Sequence, residues 1–539
     1  MLSISVILKR KLSLAILLIC FFNDFSQNKP NILWLVCEDQ SLFFSAYGDS
    51  SAQTPNINEL ALRGTVYDNF YAVSPVCSPS RSSIITGMYP TTIGTQNMRA
   101  YKKNKGLINS KTNLPIYSAV PKRKVQFFTE ILRANGYYCS NNSKEDYNME
   151  MSPLAWDESN KNAHWRNRAK NQPFFSVFNF NITHESRIWE RSNKPLTVNP
   201  QDVEIPSYFP DIPEVRNDIA RKYSNIEAMD EKVGEIISQL EEDGLLENTI
   251  IMFWSDHGGN LLRQKRAVGN SGLNVPLIIR YPNKIDAGKV DDRIVSLMDL
   301  GPTVLSLLNI EPPKHYDGKA IAGQYEESPR KYAFGTADRF DESTDMQRSV
   351  LDGRYVYIKN FMPELPLIYR NKYRERITMN YKLIQLDSLD MLEGDAKYIF
   401  MKTKPIEEFY DLETDPYEVD NIIDDPKYAD RINNFRDALQ NWQNEINDQG
   451  FIPENKIVES FWPNLIQPKT ENVEFKMRDD GLYELISITN GASIGYQIED
   501  QIGTNSWNLY FKPILLGDKQ KIVARAIRLG YKASEITSN

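Results

Sequence analysis

Over roughly the first 330 residues, short unbroken apolar runs alternate with amphipathic stretches. Residues 31–37 (NILWLVC), 174–180, 249–254 and 276–280 are apolar runs of strand length, the pattern of strands buried on both faces. Residues 66–73 predict a further strand running toward Cys77. Helices are predicted over residues 56–63, after Thr54 and Pro55, over 127–134, ended by Asn135 and Gly136, and over 300–308 from Asp299. Residues 219–240 place Ile226, Met229, Val233, Ile236, Ile237 and Leu240 on one helical face. This alternation predicts an α/β fold with a mostly parallel sheet covered by helices on both sides.

Chemically capable residues stand just past several of these runs. Glu38 and Asp39 come after the first, Cys77 after the strand over 66–73, Thr183 and His184 after the run over 174–180, and Asp256, His257 and Gly258 after the run over 249–254. Open α/β sheets bind ligands beyond the carboxyl ends of their strands, so these residues are expected at one edge. After about residue 330 the texture changes to shorter strands, among them 355–358 and 382–384, then a segment from Phe409 to Glu418 and a helix near 431–446. From about residue 468 it is all-β.

Bulk numbers narrow this picture. A chain of 539 residues suggests about two to four domains, with 41% hydrophobic and 25% charged residues as in ordinary globular proteins. A net charge of −8 argues against general nucleic-acid binding yet leaves room for an anionic substrate at a locally positive site. Clusters at Lys102, Lys103 and Lys105, at Lys122, Arg123 and Lys124, and between Arg370 and Arg376 either supply such charge or are solvated faces. Lys9, Arg10 and Lys11, the apolar run 12–22 and the polar residues after it form a secretory signal, with cleavage near Ser26. The run is too short to span a membrane, so the mature chain is expected to be exported, periplasmic or secreted, and not membrane-spanning. Lipid anchoring at Cys20 is disfavoured by Leu17, Leu18 and Ile19 before it. Of four cysteines, Cys37 and Cys139 end apolar runs and fit core thiols better than a disulfide, which stays open.

Cys77 is different. It is followed by Ser78, Pro79, Ser80 and Arg81. Ser78 suits a helix N-cap and Pro79 the first helical position, which sets Cys77 at a helix mouth where free N–H groups favour an anion. Arg81, one turn in, adds a planar fork of donors for sulfate or phosphate oxygens.

The cysteine with Pro two residues and Arg four residues on resembles the modification signature of the type I sulfatases, and the resemblance extends over about residues 28–460. It implies an alkaline-phosphatase-like mixed sheet flanked by helices, a smaller α+β C-terminal subdomain and, after it, a β-sandwich module similar to those of chitobiase-type proteins. The implied boundaries are a signal peptide at 1–26, a catalytic subdomain at 27–330, a second subdomain at 331–462 and the accessory module at 463–539. The resemblance further implies oxidation of Cys77 to formylglycine by a separate maturation enzyme. One Ca2+ per chain is implied at Glu38, Asp39, Cys77, Asp256 and His257. Most relatives carry Asp where Glu38 stands, and His257 either ligates or hydrogen-bonds near the site. The implied catalytic set is Cys77, Arg81, Lys144, His184 and Lys265.

In the implied mechanism one oxygen of the hydrated aldehyde, polarised by the metal and held by Arg81 and Lys144, attacks sulfur in line, and His184 protonates the departing oxygen. Loss of the second hydroxyl proton then releases sulfate. The segments around Glu38, around Lys144 and from Thr95 to Arg99 most resemble the heparan sulfamidase-like branch, which includes enzymes of algal polysaccharides such as ulvan. A sulfated polysaccharide or its oligosaccharides is therefore the expected substrate, with Arg99, Arg187 and Arg339 as binding residues and Arg348 also at the cleft. Two alternatives remain: a sulfamidase or phosphonate or phosphodiester hydrolase of the same superfamily, and a silent glycan-binding protein.

Overall fold

A computed structural model describes residues 29–101, 108, 112–122, 125–504, 506–517 and 519–539. The signal segment, Cys20 and the lysine cluster 102–105 lie outside them, as do Arg123 and Lys124. Strands β1 (Asn31–Cys37), β2 (Thr65–Tyr67), β3 (Phe70–Tyr71), β4 (Tyr138–Asn142), β5 (Glu158–Ser159), β6 (Phe174–Phe180), β7 (Thr249–Ser255), β8 (Leu277–Arg280), β9 (Lys289–Asp291) and β10 (Val295–Ser296) come first. Eight of them form one sheet in the order β5-β4-β6-β1-β7-β8-β2-β9, while β3 pairs with β10. Seven run parallel and β8 runs against them.

The central strand shows why the sheet is covered on both sides. Side chains alternate along a strand, so Ile32, Trp34 and Val36 enter one core while Leu33, Leu35 and Cys37 enter the other. Helices α1 (Pro55–Leu62), α2 (Cys77–Thr86), α3 (Phe128–Ala134), α4 (Pro213–Glu242) and α5 (Leu300–Leu307) divide accordingly. Ile84 and Ile85 of α2, Phe128 and Leu132 of α3 and Val304 of α5 join the first core; Ile57 of α1 and Ile226, Met229 and Val233 of α4 join the second. At the amino edge Asn31 clasps both neighbours of β1, donating to Thr249 Oγ1 at 3.4 Å and accepting from the Phe174 N–H at 3.2 Å.

Three sequence expectations change. The strand over 66–73 splits into β2 and β3, which pair in different sheets because Asp68 and Asn69 turn the chain between them. Residues 382–384 are helical, within α6 (Thr378–Ser388). There Met379 and Leu383, spaced by four, face the second core, and Asp218 of α4 accepts from the Met379 N–H at 2.7 Å. Helix α2 starts at Cys77 itself, with Val76 in the cap position, because the Ser78 hydroxyl donates to Asp146 Oδ1 at 2.6 Å.

Downstream, β11 (Ala333–Ala337), β12 (Gln347–Leu351), β13 (Tyr355–Asn360) and β14 (Glu407–Asp411) form an antiparallel sheet in chain order. Helix α7 (Ala429–Ile446) packs Phe435, Leu439 and Trp442 on it, and α8 (Glu454–Phe461) comes after it. At the C-terminus β15 (Glu474–Met477) pairs with β16 (Tyr483–Ile486). Strands β17 (Ser493–Ile498), β18 (Asn508–Leu509), β19 (Ile522–Ile527) and β20 (Thr537–Ser538) make a second small sheet. Leu509 and Ile527 bury against Leu154, and Trp507 O accepts from Arg133 of α3 at 2.8 Å, so this region caps the first core. No helix among the described residues is long and apolar enough to cross a membrane. Cys37 and Cys139 are free, buried thiols.

Candidate active site

Parallel register sets Cys37 level with Phe180 and Ser255, so β1, β6 and β7 end together. Glu38 and Asp39, then His184, then Asp256 and His257 are thus delivered to one edge, and Lys144 stands two residues beyond β4. Asp39 takes φ 56°, a left-handed turn that aspartate tolerates, and its N–H donates to Asp256 Oδ1 at 3.2 Å. The loop after Asp256 needs its glycine: a Cβ on Gly258 would stand 2.2 Å from the Ser271 carbonyl oxygen.

Cys77 opens α2 in the middle of these groups. Its Sγ lies 3.3 Å from His257 Nε2, 3.8 Å from Lys265 Nζ and 4.0 Å from Asp39 Oδ1. Arg81, one turn on, donates from Nε to Asp256 Oδ2 and from Nη1 to Asn179 Oδ1, both at 2.8 Å. Its Nη2 is buried with no partner. Lys144 Nζ meets Glu38 Oε2 at 2.7 Å. Lys265 Nζ is held by Asp39 Oδ2 at 2.7 Å and Glu185 Oε1 at 3.2 Å, and stands 3.4 Å from His184 Nε2. The structure therefore brings together all five residues of the expected catalytic set; of the expected ligand residues, Asp39, Cys77, Asp256 and His257 converge, while the Glu38 carboxylate is turned to Lys144.

The electrostatics derive from that convergence. Burial pushes the Cys77 thiol up, but Lys144, Lys265 and His257 more than reverse it, to about 6. The other two thiols go the opposite way, driven up chiefly by burial. Burial alone would lower His257, yet the carboxylates of Asp256 and Asp39 raise it to about 10. His184 is raised as well: burial and Lys265 oppose its proton, while Asp39 and Cys77 favour it. Arg81 is held protonated against burial by Asp256 and Glu38.

Asp39, Cys77 and the half-buried His184 form one group with metal-binding spacing, and the buried Cys77, Asp256 and His257 form a second that shares the cysteine. Two wholly buried carboxylates, Asp39 and Asp256, beside Glu38 supply the oxygen donors that a hard cation prefers. The donor set fits a metal at this position.

Sequence reasoning missed the residues that hold this set in place. Glu185 accepts from Arg266 at 3.0 and 3.1 Å as well as pairing with Lys265, and Arg266 passes on to Asp341 at 2.9 Å. Asn179, which orients Arg81, donates to Asn141 Oδ1 at 3.0 Å. The available signal was position: Glu185 and Arg266 adjoin predicted site residues, and Asn179 is a polar residue inside an apolar strand. Of the expected substrate-binding residues, Arg99 is half-exposed and leans on Asp341 at 3.4 Å. Arg187 pairs with Glu190 at 2.7 Å, and Arg339 is buried in a fork on Glu454 at 2.6 and 2.7 Å. Arg348 is fully buried between Asp338 and Asp448 and lines no cleft, a correction to its expected place.

The chain is similar to known proteins. The Sulfatase family model matches residues 30–310. An ulvan-active sulfatase of Formosa agariphila is 39% identical over 549 residues, covering 94% of this chain and 90% of that protein. The human N-sulphoglucosamine sulphohydrolase is 23% identical, covering 81% of this chain and 94% of that one. Among solved structures, the phosphonate monoester hydrolase of Agrobacterium radiobacter has the same fold, with a TM-score of 0.57 at 16% identity, over 85% of this chain and 99% of that chain. A 2-O GAG sulfatase superposes with a TM-score of 0.56 at 19% identity, over 78% of this chain and 93% of that chain.

Proposed function

The chain belongs to the sulfatase family and is a sulfuric ester hydrolase, and from that premise we propose that it removes sulfate esters from a sulfated polysaccharide or its oligosaccharides, ulvan among them, through a formylglycine formed from Cys77. The observation that carries this reading is the placement of Cys77 at the start of α2, with Lys265, His257 and Arg81 around it.

Formylglycine at position 77, formed by a maturation enzyme, would supply the nucleophile, and Glu38, Asp39, Asp256 and residue 77, with His257 beside them, would hold a Ca2+ that would supply a fixed positive charge. The chain's own residues do the rest. Arg81 directs its unpartnered Nη2 and Lys144 its ammonium at the sulfuryl oxygens, where charge builds in the transition state. Lys265, oriented by Asp39 and Glu185, adds a third cation. His184, whose proton is favoured by Asp39, protonates the departing sugar oxygen. Residues 27–330 and 331–462 serve as the two sulfatase subdomains. Residues 463–539 form a β-sandwich cap on the first, and the leader at 1–26 sends the protein to the periplasm or medium.

The test is sulfate release, by ion chromatography, from ulvan fragments and other sulfated oligosaccharides, after co-production with a formylglycine-generating enzyme. We expect release by the parent protein and none by Cys77→Ala. Equal release by both, or silence with conversion of Cys77 verified by peptide mass, sinks the proposal; phosphate release from a phosphonate or phosphodiester would replace it.

A further inference from the structure

Near His184 the chain presents aromatic rings and guanidinium groups that no step above uses. His184 Nδ1 stands 3.2 Å from Ser186 Oγ, and Tyr373 lies near that serine. Tyr373 thus neighbours the hydrogen-bond partner of the leaving-group histidine. It comes from the C-terminal subdomain, in the loop before α6, and is only partly buried. Trp189 meets it edge-on, with centroids 5.0 Å apart, and the buried Trp189 Nε1 has no partner.

Each ring carries an arginine. Arg99 lies over Tyr373 at 5.8 Å and Arg376 over Trp189 at 4.8 Å. Neither is closed by a carboxylate of its own. Asp341, the acid 3.4 Å from Arg99, is already taken by Arg266 at 2.9 Å, and Arg376 pairs with no carboxylate among the described residues. A half-exposed ring pair is rigid apolar area with wet edges, and two guanidinium forks with free donors suit a carboxylate or sulfate in two-pronged contact. The arginine–acid ladder also ties this patch to the nucleophile: Lys265, Glu185, Arg266, Asp341 and Arg99 touch in sequence.

We propose that Tyr373 and Trp189, with Arg99 and Arg376, form a subsite for the sugar next to the sulfated one, and that this sugar carries an acidic group, a carboxylate or a second sulfate. The inference rests on the glycan-sulfatase reading above and narrows its substrate to an acidic oligosaccharide.

Binding can be read apart from turnover, by calorimetry on full-length Cys77→Ala protein. Three ligands serve: a sulfated disaccharide with a uronate neighbour, its carboxyl-reduced form, and a disulfated disaccharide without a carboxylate. Arg376→Gln and Arg99→Gln are each expected to weaken the acid-bearing ligands about tenfold and the carboxyl-reduced ligand about twofold or less, while Tyr373→Ala weakens all three about tenfold. Whichever acid-bearing ligand loses more identifies carboxylate or sulfate as the recognised group. Equal binding of acidic and reduced ligands, no binding at all, or variants that bind as their parent overturn the subsite, provided melting temperatures show them folded. Sulfate release by the unsubstituted protein is scored separately: binding that meets these expectations without release would sink the glycan-sulfatase reading and leave the subsite standing.

Discussion

Two clusters of buried charge sit in this molecule, one around Cys77 and one around Arg348, and they are built on opposite principles. Arg348 is saturated. Its Nε and Nη2 take both oxygens of Asp448 at 2.7 and 3.0 Å, the same Nη2 and Nη1 take both oxygens of Asp338 at 3.0 and 3.2 Å, and two carbonyls accept the remainder. Around Cys77 the matching is incomplete. Lys265 and His257 compete for one carboxylate, Asp39, while Arg81 keeps a buried donor with no partner. Burial and ion pairing alone therefore do not mark a site; unspent donors converging on one atom do. The cysteines report the same difference, since Cys77 alone of the three described thiols has its pKa lowered.

The contrast can be broken from either side. Arg348→Met should leave Asp338 and Asp448 buried without their cation and cost about 3–5 kcal/mol in denaturant unfolding. Sulfate release per folded molecule should fall far less than in a Cys77-site variant. A loss under about 1 kcal/mol would mean the Arg348 cluster is not closed as described. Lys265→Ala should do the reverse. It removes a donor aimed at the reacting group, and kcat/KM for sulfate release should drop about 100- to 1000-fold with only a modest change in melting temperature. A drop smaller than tenfold would remove Lys265 from the transition-state contacts.

The smallest expected effect is a pH dependence at the structural junction. Burial raises Glu418 to about 7 and Asp338 to about 6, so the folded protein holds protons that the unfolded chain releases. Stability gained from the neutral acids is present at low pH and is lost as pH rises through the folded values. Between about pH 4.5 and 7, Glu418 should cost up to about 3 kcal/mol, and Glu418→Gln should flatten that slope in unfolding measured across the range. An unchanged slope would show that Glu418 stays ionised in the folded state.

Much of this arrangement was legible in the chain. Residues 31–37 and 249–254 read as core strands because a parallel sheet buries both faces, and the residues just past them had to land at one edge. Residues 382–384 were not legible, since three apolar or amphipathic residues fit a strand as well as a helix turn; packing against α4 decided it. The arginines were harder still. Arg99, Arg339 and Arg348 look alike in sequence, and only contacts 115 and 100 residues away, to Glu454 and Asp448, reveal that the latter two are spent.

The sequence by itself determined the local chemistry of this protein: the sheet strands, the cysteine signature at the head of a helix, and which residues close each strand. These depend on neighbours within a few positions, where periodicity and residue type suffice. The tertiary structure alone decided which charges remain available. Pairing is a matter of distance in space, so Glu185 and Arg266 acquire their positioning role, and Tyr373 its edge-on contact with Trp189, only when segments far apart in the chain meet.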